Sequence, residues 1–301
     1  MSRTVTVGID GSPESRAAAE WAAREATLCG LPVKLVHVMD PAPEPVAQAP
    51  FEGAEARQYW GARLPRESAE GLRLRHPGVE VISEQVAGRP ADVLLAEAKS
   101  AALLVLGSRG LGGVGGYLVG SVGQAVVAHT ETPVVPVRAG EQAADEHTMD
   151  PVGVPSAASP YRPVVLGLDI ERPHDSVIAF AFDAAVRRAT ALRVVHGWQI
   201  APYYAYGLSA DPEIAGELAR QQASALSGTL VSWRKEFPAV EVVEESRLGA
   251  AAGHLVDASR EASLVVVGRR MRGHVFGVHI GPVTHAVLHH SAAPVAVVAH
   301  G

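Results

Sequence analysis

This chain has few of the residues that staple secreted proteins or anchor membrane proteins. A single cysteine, Cys29, stands among 301 residues and can form no internal disulfide, which suits a reducing compartment. There is no apolar run of about 18 residues, the length that spans a bilayer. The first residues lead straight into Thr4–Ile9 without a basic segment followed by an apolar one, so the expected location is the cytoplasm. No Lys/Arg cluster exceeds a few residues and the net charge is −6, which argues against nucleic acid as a main partner. Aromatic residues make up 5%, and Trp21, Trp60, Trp198 and Trp233 are scattered, so they are expected to pack and not to stack on bases. No Gly-Lys-Ser/Thr tripeptide occurs, which excludes a Walker-type NTPase at motif level.

With 48% hydrophobic and 19% charged residues the chain reads as globular, and its length is that of about two domains. Thr4–Ile9 is a β-branched run that stops at Asp10-Gly11-Ser12-Pro13, where Ser12 can cap a helix and Pro13 can open it. That helix is expected to run to about Cys29, before Gly30. Strands are expected over 33–38, 79–86 and 103–106, and helices over 57–74 and from Pro90 to near Ser100. The proline-rich stretch 41–54 reads as a surface loop. Pro133-Val134-Val135-Pro136-Val137 reads as a strand whose prolines confine it to an edge or an unusual pairing. Strands alternating with helices predict an α/β fold, a parallel sheet with helices on both faces.

The stretch 107–121, GSRGLGGVGGYLVGS, joins the fourth strand to the next helix, and seven of its fifteen residues are glycine. Glycine permits close approach to the main chain, and a helix start carries free N–H groups and partial positive charge. With Ser121 expected to cap the helix, strand, glycine loop and helix start predict a phosphate site. Gly110, Gly112 and Gly115 match G-x-G-x-x-G, but that dinucleotide fingerprint belongs in the first strand-to-helix turn with an acidic residue about 20 positions on. Here it follows the fourth strand, and Pro133–Val137 lies downstream, so the dinucleotide reading is weak.

After an Ala/Pro/Glu/Asp/Ser-rich segment at 139–162, read as a linker, the pattern restarts. Val164–Asp169 repeats Val5–Asp10 and His196 repeats His37 at an offset of 159 (169 − 10; 196 − 37). Gly249, Gly268, Gly281 and Pro294 repeat Gly88, Gly107, Gly120 and Pro133 at an offset of 161 (268 − 107; 281 − 120). The near-constant offset signals a tandem duplication, with domains expected at 1–138 and 163–301.

Gly107, two residues, Gly110, nine residues, then Gly120-Ser121 resembles the G-2x-G-9x-G-S/T motif of the ATP-binding branch of the universal stress protein family. The resemblance spans both halves. It implies two tandem open five-stranded sheets of order 3-2-1-4-5, paired through their fifth strands. It also implies ATP, possibly with Mg2+, as ligand, in a non-enzymatic stress-response switch that can form a homodimer. Carried over by position, Asp10 contacts the adenosine part, Val38 offers its backbone to adenine, and Gly8 leaves room for the ribose. Gly107, Arg109 and Gly110 border the phosphates, while Gly120, Ser121 and Val122 bind them. A slow ATPase or phosphotransferase is the alternative, and an FAD- or NAD-binding protein a further one. No catalytic residue and no protein-held metal is assigned.

The second half departs from the motif: Met271 stands where the second glycine belongs and Pro282 where Ser belongs. Proline removes a hydroxyl and an N–H donor, although Arg269, Arg270, Arg272 and His274 add positive charge. A second, weaker site is expected at Gly167, Asp169, Gly197, Gly268, Arg269 and Gly281. His285 and His289 have the spacing of zinc hydrolases but no intervening Glu, so solvated or packed histidines are the expectation there, as they are for His37 and His196. Isothermal titration of the whole chain with ATP is expected to give one tight site; two equal sites per chain would refute the asymmetry between the halves.

Overall fold

A computed structural model describes residues 3–40, 52–110, 117–118, 120–150, 152–200, 212–271 and 280–301. At 52–62, 109–110, 117–118 and 212 it describes the backbone alone. The chain divides into two compact units, one built from Met1–Ala143 and the other from Ala144–Gly273 with Ile280–Gly301. Among the described residues no helix is long and apolar enough to cross a membrane.

The first unit runs β1 (Thr4–Ile9), α1 (Pro13–Cys29), β2 (Val33–Met39), α2 (Glu52–Arg75), β3 (Val81–Ala87), α3 (Pro90–Ala98), β4 (Ala101–Gly110), α4 (Ser121–His129) and β5 (Val134–Arg138). Its sheet is parallel with order β3-β2-β1-β4-β5. Val5, Val7, Leu35, Val36, Leu104, Val105 and Val135 are buried, as expected of strands covered on both faces. Helix α1 starts where the sequence says: Ser12 accepts from the Ser15 N–H at 3.1 Å and Pro13 follows. It ends on Gly30 at φ 63°, a left-handed cap that glycine adopts without strain. Its buried face is mostly alanine (Ala18, Ala22, Ala23, Ala26) with Trp21, and so sits close on the sheet.

Two glycines show how the layers meet. A side chain on Gly107 would strike the Glu14 carbonyl carbon and the Ser15 nitrogen at 2.7 Å, the backbone opening α1. A side chain on Gly8 would meet Leu106 at 3.0 Å and Leu94 of α3 at 3.1 Å. Gly8 is the register partner of Leu106, and successive strand residues face opposite sides, so α1 and α3 cover opposite faces.

The second unit repeats the plan with β6 (Val164–Gly167), α5 (Asp175–Arg188), β7 (Leu192–Trp198), α6 (Pro212–Glu236), β8 (Val242–Leu248), α7 (Ala251–Ala258), β9 (Leu264–Arg270), α8 (Pro282–His290) and β10 (Val295–His300). The order is β8-β7-β6-β9-β10, again parallel. Phe182 stacks near Trp233 and Phe237, with ring centroids 5.9 and 5.0 Å away. Lys34 bridges to Glu84 across β2 and β3, and Arg193 pairs with Glu245 across β7 and β8, so the cross-strand ion pair is duplicated with the fold.

Several boundaries move. Helix α2 begins five residues before the expected Arg57 and continues through Pro65, whose missing N–H interrupts only one rung of the ladder. Strand β4 runs on to Gly110, and Arg109 and Gly110 pair antiparallel with Leu118 and Tyr117. The segment 139–162 is more than a linker. His147 and Met149 bridge to Tyr161 and Pro155, the Arg162 N–H donates to Glu146 O at 2.9 Å, and the His147 ring lies 4.0 Å from that of Tyr161. The expected loop over 41–54 lies largely outside the described residues, and Trp60 is described by its backbone alone.

Gly107→Ala and Gly197→Ala, whose new methyl would meet the α7 backbone nitrogen of Ala251 at 2.7 Å, are expected to destabilise by about 1–3 kcal/mol through overpacking. Gly228→Ala, in exposed helix with nothing within 4 Å, is expected to stabilise by about 0.5–1 kcal/mol. Urea unfolding of the three variants checks the contrast.

Candidate functional site

In the first unit β1, β2 and β4 end side by side, Ile9 opposite His37 and Gly8 opposite Leu106. The strand order reverses between β1 and β4, which opens a crevice beyond their carboxyl ends. Asp10, the first residue past β1, is exposed there. Its Oδ1 accepts the Ser12 N–H at 3.0 Å and the Ser12 hydroxyl at 2.5 Å, an Asx turn that also delivers Ser12 to its capping position. Partial burial pushes the Asp10 carboxyl up, but the Ser12 hydroxyl and N–H and the Ser15 hydroxyl outweigh it and hold it below the ordinary carboxylate value. Turn residue and ionised group in the crevice are therefore one and the same.

His37 fixes the neighbouring strand end. Its Nδ1 lies 3.0 Å from Ile9 O, and since a carbonyl only accepts, that nitrogen carries the hydrogen. The second unit repeats the clasp, His196 Nδ1 to Leu168 O at 3.1 Å, so both histidines are structural ties between first and second strands. Val38 and Met39 continue β2 past its last register pair with β1 while still pairing with β3. Val38 therefore flanks the crevice with main chain on its β1 side.

Across the crevice stands α4. The sequence expectation made Ser121 its cap; in the structure Gly120 is the N-cap and Ser121 the first helical residue, with no side-chain hydrogen bond to the opening turn. The first helical bond is Gln124 N–H to Gly120 O at 2.8 Å, and among the described residues no side chain caps the N–H groups of Ser121, Val122 and Gly123. No described atom lies within 4 Å of where a Gly120 side chain would be. Two other expectations are corrected. Gly8 leaves no room for a ribose, because Leu94 and Leu106 fill its open side. Gly107, Arg109 and Gly110 are strand residues and not loop, and Gly107 is glycine because α1 passes against it. Residues 111–116 and 119, the centre of the glycine stretch, lie outside the described residues, as do Arg272, His274 and His279.

The second unit differs at the equivalent places, although the space before Gly281 is likewise free of described atoms. Pro282 opens α8 after the N-cap Gly281, removing one donor, and the Thr284 hydroxyl donates to Gly268 O at 2.9 Å, tying helix start to strand end. Thr284 stands where the first unit has Gly123. Gly197, expected to line a second base pocket, is instead overlain by the Ala251 backbone. Gly167 faces Leu255 as Gly8 faces Leu94. Asp169 makes the same Asx turn, accepting from the Glu171 N–H at 3.1 Å. Arg269 is 3% exposed within β9 and already engaged, a buried strand residue. Sequence reading missed Thr284, His174 and His300; aligning the halves residue by residue against Gly123, Ser15 and Ala139 would have raised them. His285 and His289 stack on α8 with centroids 4.3 Å apart, and among the described residues no three His, Cys, Asp or Glu gather as a metal site.

Two strand-end crevices of one design, with different residues at their helix starts, set the terms for comparison with known proteins. The family model "Universal stress protein family" matches residues 1–138 and again 160–299. The chain belongs to the universal stress protein family. Universal stress protein Rv1996 of Mycobacterium tuberculosis is 31% identical over 310 residues, covering 97% of this chain and 94% of that protein. Universal stress protein Rv2005c of the same organism is 32% identical over 303 residues, covering 97% and 96%. Among solved structures, a universal stress protein from Archaeoglobus fulgidus superposes with TM-score 0.67 at 16% identity over the full length of both chains. A putative universal stress protein from Pseudomonas aeruginosa gives 0.56 at 13% identity, covering 99% of this chain and 93% of that one. These likenesses carry the fold; the tandem arrangement extends along both relatives.

Because the Asp10 carboxyl is held low, its contribution to stability is present above the ordinary carboxylate value and is lost as pH falls through the lower folded value. Asp10→Asn removes that term. The stability gap between wild type and D10N, read by urea unfolding, is expected to shrink from about pH 5 to about pH 3; a gap that widens toward acid would contradict the assignment.

Proposed function

We propose that the first unit binds ATP and that the protein is a non-enzymatic, nucleotide-dependent switch of the stress response, working in the cytoplasm where ATP is available. The observation that carries this reading is the opening turn of α4: three successive N–H groups that no described side chain caps, behind a Gly120 with no described atom before it. Aligned donors at a helix N-terminus attract an anion and need no side-chain charge to do so. The spacing of Gly107, Gly110, Gly120 and Ser121 supports a triphosphate as that anion. The adenosine part fits the ends of β1 and β2, with the ionised Asp10 on one side and the Val38 main chain on the other. Mg2+ would arrive with the triphosphate, and the ionised Asp10 carboxylate at the end of β1 would meet it or a ribose hydroxyl.

The second unit has a similar space before Gly281 but offers one donor fewer, since Pro282 withholds it, and its Thr284 hydroxyl is spent on Gly268 O. One nucleotide per chain follows. A switch rather than an enzyme is favoured because the crevice residues described here are held in structural bonds: both histidines clasp strands, and Asp10 braces α1. A slow ATPase or phosphotransferase is the competing reading, and a dinucleotide the next.

Denaturing the purified protein and identifying what it releases tests all three. The expected product is ATP, unhydrolysed after prolonged incubation with magnesium; accumulating ADP would favour the ATPase, and flavin or NAD would overturn the reading. Gly120→Trp, which fills the space before α4, is expected to lower nucleotide retention by at least about tenfold, the effect of about 1.4 kcal/mol. ATP retained at wild-type occupancy in that variant would refute the site.

A further inference from the structure

The second unit carries side chains at its strand ends that the first unit lacks. Residues 268, 270, 298 and 300 point to one side of β9 and β10, since Gly268 pairs with Val298 and Arg270 with His300. That side is covered by α5, whose Val177 lies beside Gly268. The absent side chain of Gly268 leaves the space in which the His300 ring lies, with Nε2 2.9 Å from where a Cβ would stand. The His174 ring, at the N-cap of α5, lies 4.9 Å from the His300 ring.

His174 is oriented by its capping role. Its Nδ1 accepts from the Ser176 N–H at 3.4 Å and lies 2.9 Å from the Ser176 hydroxyl, so that nitrogen presents its lone pair and the ring hydrogen sits on Nε2. His174 thus offers its Nε2–H as a donor. Among the described residues, neither ring nitrogen of His300 has a hydrogen-bond partner, and Arg270 makes neither a hydrogen bond nor an ion pair. The first unit has Ser15, Ala139 and Arg109 at the three positions, so the histidine pair belongs to the second unit alone.

We propose that the second unit binds a tetrahedral oxyanion, a phosphate or phosphomonoester, through Arg270, His300 and the Nε2–H of His174. This site is separate from the nucleotide site proposed for the first unit and does not depend on it. The second unit lost the glycine and serine of the backbone cradle and placed side-chain donors one sheet face away. The groups facing His300 are His174 from α5, Arg269 and Arg270 from β9, and Asp169 beyond β6. Burial first, then the neighbouring His174, Arg270 and Arg269, holds His300 below the ordinary histidine value, with Asp169 opposing weakly. An oxyanion reverses the balance by favouring the imidazolium. Binding is therefore strong at acid pH, where His300 accepts a proton, and weakens as pH rises through the raised value of the bound state.

Sulfate is the probe, because its charge stays constant between about pH 5 and about pH 8, so any pH dependence belongs to the protein. Histidine ring spectra of the full chain, assigned with His300→Phe and His174→Phe, locate the event. Sulfate is expected to shift both rings saturably, to raise the His300 titration midpoint by at least about half a unit, and to bind about tenfold more weakly at pH 8 than at pH 5.5. His300→Phe, which keeps a ring in place, is expected to lose the pH dependence, and Arg270→Gln to weaken binding about tenfold at pH 5.5. Displacement of sulfate by AMP at lower concentration than by inorganic phosphate identifies a phosphomonoester; the reverse order identifies the free anion. A His300 midpoint that sulfate leaves unmoved, or a His300→Phe variant that binds as wild type at both pH values, would overturn the site. Neither outcome bears on ATP retention by the first unit, which is read separately by nucleotide release.

Discussion

An α-helix begins with N–H groups that its own backbone cannot satisfy, and a folded protein must place them somewhere. In this chain two corresponding helices resolve the problem differently. Helix α4 leaves its first three N–H groups facing the strand-end crevice with no described side chain to cap them, behind a glycine with no described atom in front of it. Helix α8 replaces its first donor with proline and uses Thr284 to bind its opening turn to the strand it follows. The same duplicated backbone therefore carries two different helix starts, and the difference between them lies in three residue pairs: Gly110 against Met271, Ser121 against Pro282 and Gly123 against Thr284.

Around that turn, the rest of the first unit keeps three strand ends in register. Ser12 caps α1 while Asp10 braces Ser12, so the carboxylate at the crevice is fixed by the helix it starts. His37 ties β2 to β1, and Gly107 lets α1 settle against β4. These contacts are short in range and mostly involve the backbone, which is why the architecture repeats in the second unit although many side chains differ. His196 repeats the clasp of His37, Asp169 the turn of Asp10, and Gly167 the packing of Gly8.

Much of this was legible in the sequence because it rests on local chemistry. The β-branched run ending in Asp-Gly-Ser-Pro specifies strand, turn, cap and helix, and the offset of 159 to 161 residues specifies the duplication. What the sequence concealed was tertiary. Gly8 and Gly107 read as ligand-facing glycines, yet one packs on Leu94 and the other on the start of α1, and only the neighbour across the layer distinguishes these uses. Ser121 read as a cap from its place after Gly120, but helix boundaries shift by a residue, and one residue converts a capped helix into an uncapped one. His174 and His300 are 126 residues apart (300 − 174), and no spacing rule joins them; strand register and a helix cap do.

The central claim is that backbone amides at the start of α4, and not those of α8, receive the triphosphate. Amide hydrogen exchange of the full chain with and without ATP addresses it directly, since a donor bonded to phosphate exchanges more slowly. The account predicts strong protection by ATP over 120–124 with 281–285 unchanged; equal protection of both segments, or none at 120–124, would contradict it.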